Sequence, residues 1–263
     1  MPIDKETLEK LYLKFNDRRY VHPYPLEFLY NYKNPQEMEV VGLIAASLAY
    51  GQVRQILKSV SFVLKNLGKN PSSFLKFSSE NELENIFSSF KHRFTTGSEL
   101  AKFLSNIGKV LKKYGSLNEC FLNSFKQEKD IIPSLLHFIK ELRLGDYTCY
   151  NSLLPIPSGK CAYKRMNLYL RWMIRKDNID CGCWQGILPK NLVIPLDIHM
   201  HRISALYGFT QRKQADIKTA LEVTEAFKKY APDDPVKYDF ALTRLGIQSN
   251  NLINPSALNY FNS

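Results

Sequence analysis

The chain has 263 residues, 36 Lys and Arg against 25 Asp and Glu, a formal net charge of +11, and a composition 44% hydrophobic and 13% aromatic. A chain this aromatic buries enough surface to offset its ordering entropy, which excludes a disordered tail protein. There is no apolar run of about eighteen residues to span a bilayer, and the 5 cysteines are odd in number, which argues against a disulfide framework and for a reducing cytoplasm.

The apolar pattern is helical almost throughout. A first helix is expected over residues 4–16. Asn34-Pro35-Gln36-Glu37 reads as the next start, with Asn as cap, Pro at the first helical position and Glu three residues after the cap. Behind it Met38, Val41, Ile44, Ala45 and Leu48 form one buried stripe. Gly51 interrupts, and Val53, Ile56, Val60, Val63 and Leu64 resume the period until Asn66-Leu67-Gly68. Further helices are expected at 80–90, 98–114, 117–126, 130–144, 162–176, 198–207, 214–230 and 235–246. Strand signals are scarce, because no Asn-Gly or Asp-Gly turn separates alternating runs. The Pro-punctuated segment 153–159 and Cys181-Gly182-Cys183-Trp184 read as loops. The expected fold class is all-α, in one globular unit.

From Gly159 to Lys176 there are six basic residues (Lys160, Lys164, Arg165, Arg171, Arg175, Lys176) and no acidic one. On a helix, Lys160, Lys164, Asn167, Arg171 and Arg175 share one face, while Ala162, Met166, Tyr169, Leu170 and Met173 share the opposite one. Like charges one turn apart repel, so an anion would relieve the helix, and a Gly-containing turn feeding its N-terminus offers free N–H groups to a phosphate. A solvated basic face accounts for the same charges without a ligand. Further on, the apolar run Val193-Ile194-Pro195-Leu196 stops at Asp197, and a helical pattern runs from Ile198 to Gly208. Asp197 is therefore an expected N-cap, held in place and ionised, which also suits a catalytic anion beside a lysine.

At these two segments the chain resembles a family. Ile194-Pro195-Leu196-Asp197-Ile198-His199-Met200-His201-Arg202-Ile203 is similar to the Pro-Val-Asp-Thr-His-Val-x-Arg-Val signature of helix-hairpin-helix DNA glycosylases, the endonuclease III superfamily. Lys164-Arg165-Met166-Asn167-Leu168-Tyr169-Leu170 resembles that family's Lys-Thr-Ala-Asn-Val-Val-Leu, in which a lysine opens the second helix of the hairpin. Leu43-Ile44-Ala45-Ala46-Ser47-Leu48-Ala49 resembles its Leu-Ile-Ala-x-Leu-Leu-Ser stretch. The layout looks closest to an uncharacterised bacterial branch, and more distantly to archaeal 8-oxoguanine glycosylases. The chain departs from the usual hairpin in having one glycine, Gly159, five steps before Lys164. Asp197 follows Lys164 by 33 residues, and Ile198 stands where the family has Thr. The four-cysteine iron–sulfur loop is absent, so neither cluster nor other cofactor is implied.

The resemblance implies two helical lobes, residues 35–176 carrying the hairpin and lysine, and residues 1–34 with 177–263 carrying the aspartate. It implies excision of a damaged base, an oxidised purine favoured, from double-stranded DNA by a monomeric, nucleoid-associated protein. The nucleotide would be extruded, because a base in a duplex is unreachable. Lys164 would attack the sugar as a free amine, a form that desolvation and neighbouring cations favour, and Asp197 would take a proton or stabilise the developing cation. Lys160 is the backup nucleophile. Gly159, Lys160, Arg165, Asn167, Arg171 and Arg175 would bind nucleic acid, and Gln52 would fill the gap in the stack. Trp172, Trp184, Tyr163 and Phe209 are expected base-pocket aromatics, although such residues are more often core.

Two rival readings accompany this one. As a strand, 197–201 would align Asp197, His199 and His201 as metal ligands of a hydrolase, with Cys181 and Cys183 upstream. In a helix, positions 199 and 201 point about 200° apart and share a metal poorly. A non-catalytic nucleic-acid-binding protein of the same fold is the other alternative.

Overall fold

The computed structural model describes residues 3–145, 151–158 and 161–248. Among them are twelve α-helices: α1 (Lys5–Phe15), α2 (Pro35–Ser47), α3 (Val53–Leu67), α4 (Pro71–Phe77), α5 (Glu80–Phe87), α6 (Gly97–Tyr114), α7 (Leu117–Glu128), α8 (Ile131–Arg143), α9 (Lys164–Ile174), α10 (Ile198–Leu206), α11 (Ile217–Lys228) and α12 (Asp239–Gln248). Strands β1 (Lys91–His92) and β2 (Thr95–Thr96) form a small antiparallel hairpin. The protein is all-helical in class, and no helix among the described residues is long and apolar enough to cross a membrane.

Local chemistry sets most helix starts. Asn34 accepts from the Gln36 N–H with Pro35 behind it, Thr96 and Glu99 close a reciprocal capping box on α6, and Asp130, Asp197 and Asp216 cap α8, α10 and α11. The helix expected over 162–176 is narrower, because Tyr163 enters it in the left-handed region at φ +49° and Arg175 leaves it extended. Residues 197–201 do not form a strand; the segment 192–197 has no regular structure and leads into α10 at Asp197. Beyond the expected elements are α4, the hairpin, and short 3-10 helices at Arg18–Tyr20, Pro25–Asn31 and Pro189–Asn191.

Helices α2 and α9 lie at the centre. Both are buried on nearly every side, with Val40, Val41, Leu43, Ile44, Tyr169, Leu170 and Trp172 fully enclosed. Gly42 allows the close approach, since a Cβ there would lie 2.8 Å from Met173 Cε. The two ends of the chain meet: Tyr238 Oη and Lys237 Nζ donate to Glu9 at 2.6 and 2.7 Å, and the Tyr12 ring stands edge-on to Tyr238. Helix α9 is tied to that group through its arginines and to α2 through its apolar side.

Candidate functional site

Lys164 and Asp197 face each other. Lys164 is the first residue of α9 and Asp197 the cap of α10, and Lys164 Nζ lies 3.7 Å from Asp197 Oδ2. One carboxylate oxygen is committed, Oδ1 accepting the Met200 N–H at 2.9 Å, which aims Oδ2 at the lysine. The pair is only partly covered, with side-chain exposures of 31% and 28%. At 3.7 Å it is a loose ion pair rather than a hydrogen bond, so Lys164 Nζ is not locked onto the carboxylate.

Both side chains line a cavity of about 760 Å³, within the roughly 300–1,000 Å³ of small-molecule sites. Its walls come from across the chain: Tyr24 and Pro25, the turn Ala49-Tyr50-Gly51, the start of α3, the entry to α9, and Leu196–His199. Tyr24 meets Trp172 edge-on at 5.7 Å, and burial pushes its phenol well above the usual range, so it stays a neutral hydroxyl. Tyr50 donates to the His92 carbonyl at 3.0 Å and bonds the Thr95 hydroxyl. Neither tyrosine carries a local sequence signal for this role. They are some 110 to 140 residues from Lys164, and only the tertiary fold brings them to it.

The other expected site residues divide. Tyr163 lines the cavity, its hydroxyl donating to the Ile156 carbonyl at 3.3 Å. Arg165 also lines it, but its guanidinium donates to the backbone carbonyls of Ser47 and Ser152 and lies 5.0 Å over the Tyr50 ring. Gln52 is exposed at the start of α3, next to the cavity wall. Gly159 and Lys160 lie outside the described residues.

Asn167, Arg171 and Arg175 do not form an anion-binding face, and this corrects the sequence expectation. All three are buried. Arg171 pairs with Asp180 and Asp239, Arg175 with Asp177, Asp180 and Asp234, and Asn167 donates to the Ala162 carbonyl. Four carboxylates from outside the basic segment relieve the repulsion that an external anion was expected to relieve. Trp172, Trp184 and Phe209 are likewise core and line no part of the cavity. Trp172 is enclosed, Trp184 Nε1 donates to Glu39 at 2.9 Å, and Phe209 packs on Phe227.

The metal reading loses its geometry. Asp197, His199 and His201 enter a helix, not a strand; His199 faces the cavity while His201 Nε2 lies 2.8 Å from the Arg212 carbonyl. Among the described residues no group of three or more His, Cys, Asp or Glu side chains is placed to hold a metal ion. Cys183 instead contacts Met173 Sδ at 3.6 Å.

No curated protein and no solved structure matches the chain. The sequence model of the DUF2400 family, whose description is "Protein of unknown function", matches residues 24–248 and so takes in every wall of the cavity. The chain therefore belongs to the DUF2400 family.

Proposed function

We propose that the protein is a DNA glycosylase and lyase of the helix-hairpin-helix type, removing a damaged base, an oxidised purine in preference, from double-stranded DNA. The observation that carries this reading is the 3.7 Å approach of Lys164 Nζ to Asp197 Oδ2 in a cavity large enough for an extruded nucleoside. The two residues come from segments 33 positions apart, each similar to a glycosylase motif.

The proposed chemistry follows from the two groups. Asp197 accepts a proton from the Lys164 ammonium, and the free amine attacks C1′ of the extruded nucleotide. The C1′–N bond to lysine forms as the glycosidic bond breaks, and the base departs with its bonding pair and takes up the proton that Asp197 had accepted, which restores the carboxylate. Opening of the sugar ring gives an imine between C1′ and Nζ, with Asp197 offsetting its positive charge. Removal of a C2′ proton then expels the 3′ phosphate and cleaves the strand. The aromatic and apolar walls, Tyr24, Tyr50, Met166 and Leu196, supply a surface for the base.

Borohydride trapping tests the reading directly. Wild-type protein on duplex DNA carrying an abasic site or 8-oxoguanine is expected to give a covalent adduct that survives Lys160→Ala and is lost in Lys164→Ala. Loss only in Lys160→Ala would move the nucleophile. No adduct on either DNA would remove the lysine chemistry for these substrates and favour a binding protein.

A further inference from the structure

Arg171 and Arg175 are held by internal carboxylates, so the surplus of positive charge must be displayed elsewhere. Between Glu39 and Glu80 the chain has no Asp or Glu at all. This acid-free run includes α3, on which Arg54, Lys58 and Lys65 recur at helical spacing on one exposed face. Beside α3 stands the β1–β2 hairpin, with Lys91 and Arg93 exposed and Phe94 at its tip 68% exposed. Arg54, Lys58, Lys91 and Arg93 form no ion pair with any described residue.

The hairpin is rigidly founded and immediately borders the cavity. His92 is fully buried, with Nδ1 2.9 Å from Ser59 Oγ of α3 and Nε2 3.1 Å from the Tyr50 carbonyl. Thr95 is fully buried and bonded to the Tyr50 and Ser152 hydroxyls. The Arg93 side chain lies across Gly51, a residue of the cavity wall, so closely that a Cβ there would stand 2.7 Å from Arg93 Cδ. Arg93 itself holds φ +53°, a strained conformation for a non-glycine residue, and its guanidinium lies 5.2 Å from the Phe94 ring centre. A buried hydrogen-bonded base thus carries a solvent-facing aromatic ring, next to a row of cations without an ion-pair partner among the described residues and beside the cavity wall at Gly51.

We infer that the Arg93–Phe94 hairpin tip and the Arg54–Lys58 edge of α3 form a nucleic-acid docking surface, in which the cations follow the phosphate backbone and Phe94 stacks on a base exposed beside the cleft. A base offers a π-face to Phe94 whatever its identity, while the acid-free row offers a polyanion no repulsion. The inference rests on the nucleic-acid part of the functional proposal and is independent of the lysine step.

The test is fluorescence anisotropy with a labelled DNA duplex carrying one tetrahydrofuran abasic analogue and the same duplex fully paired, at several salt concentrations. Wild-type protein is expected to prefer the abasic duplex. Phe94→Ala should lose that preference by about tenfold, the scale of one base–aromatic stack, and Phe94→Trp should restore it. Arg54→Ala with Lys58→Ala should weaken binding to both duplexes alike and lower the slope of log affinity against log salt by about two. The inference is overturned if wild-type protein binds neither duplex, if Phe94→Ala keeps the preference, or if the double alanine variant keeps the slope. An adduct trapped on Lys164 by a protein whose Phe94→Ala variant binds normally would discard the docking surface and leave the lysine chemistry standing. Lost preference in Phe94→Ala with no adduct in any variant would do the reverse.

Discussion

Arg171 of α9 and Asp239 of α12 are paired in full burial, two helical turns from Lys164, and Asp239 lies near enough to Asp197 to feel its charge. Burial, reinforced by the Asp197 charge, pushes the Asp239 carboxyl up to about 6 against the pull of Arg171. One helix therefore carries two kinds of cation: Lys164, half open to the cavity, and Arg171, sealed among carboxylates.

The two should part company on substitution. Arg171→Met strands Asp239 without its cation, leaves Asp180 to Arg175 alone, and is expected to lower stability by about 3–5 kcal/mol. Lys164→Met breaks a loose, partly exposed pair and should change stability by less than about 1 kcal/mol, while abolishing the trapped adduct. Thermal and urea melts beside the trapping assay check this. Similar stability losses in both variants would contradict the division.

Asp197 has a capping role and a proposed chemical one, and two substitutions separate them. Asn keeps an oxygen for the Met200 N–H and removes the charge facing Lys164. Asp197→Asn is therefore expected to melt within about 1 kcal/mol of wild type and to excise base some 10²–10⁴ times more slowly in single turnover. Asp197→Ala should show the same slow excision with about 1 kcal/mol of additional destabilisation from the lost cap. Wild-type excision by Asp197→Asn would remove the carboxylate from the mechanism.

How much of this was legible in the sequence depended on how local its cause was. Caps such as Asn34, Thr96 and Asp197 act within one turn, and the helices they begin were readable to within a few residues. Lys164 and Asp197 were legible as candidates because each opens a helix in a motif of its own. The burial of Arg171 and Arg175 was not, because the carboxylates that neutralise them include Asp234 and Asp239, some 60 residues away. Helix α4 was missed because its stability is tertiary: Ser72 gives both its N–H and its hydroxyl to Glu37. The hairpin was missed because its two-residue turn is Arg93-Phe94, with none of the Gly or Asn that such turns favour.

Glu39 gives the fold a pH dependence. Its carboxylate is buried and accepts from the N–H groups of Leu117 and Asn118 and from Trp184 Nε1 at 2.8–3.0 Å. Burial nevertheless raises it from 4.5 to about 7. Between those values the folded chain holds a proton that the unfolded chain has released. The associated stability is complete below about 4.5 and is lost as pH rises through about 7, by up to about 3 kcal/mol. Glu39→Gln removes this slope at a pH-independent loss of about 1 kcal/mol, since its amide turns a donor toward one of the three N–H groups. Melting temperatures from pH 5 to 8 should therefore fall more steeply for wild type than for Glu39→Gln, and parallel curves would contradict the assignment.

Gly51 tests whether the hairpin tip is held against the cavity rim in solution. Its φ of +93° disfavours any other residue, and an added Cβ would press on Arg93 Cδ at 2.7 Å. Gly51→Ala is expected to lower stability by about 1–2 kcal/mol through backbone strain and this contact together. Arg93→Ala removes the contact but leaves the strain at Gly51. In the double variant the two losses should therefore sum to less than their separate values, by about 0.5–1 kcal/mol. Simple additivity in a double-mutant cycle would mean that Arg93 does not lie across Gly51. In that case Phe94 would lose the support that keeps it beside the cleft, and the stacking preference of the wild-type protein should be absent as well.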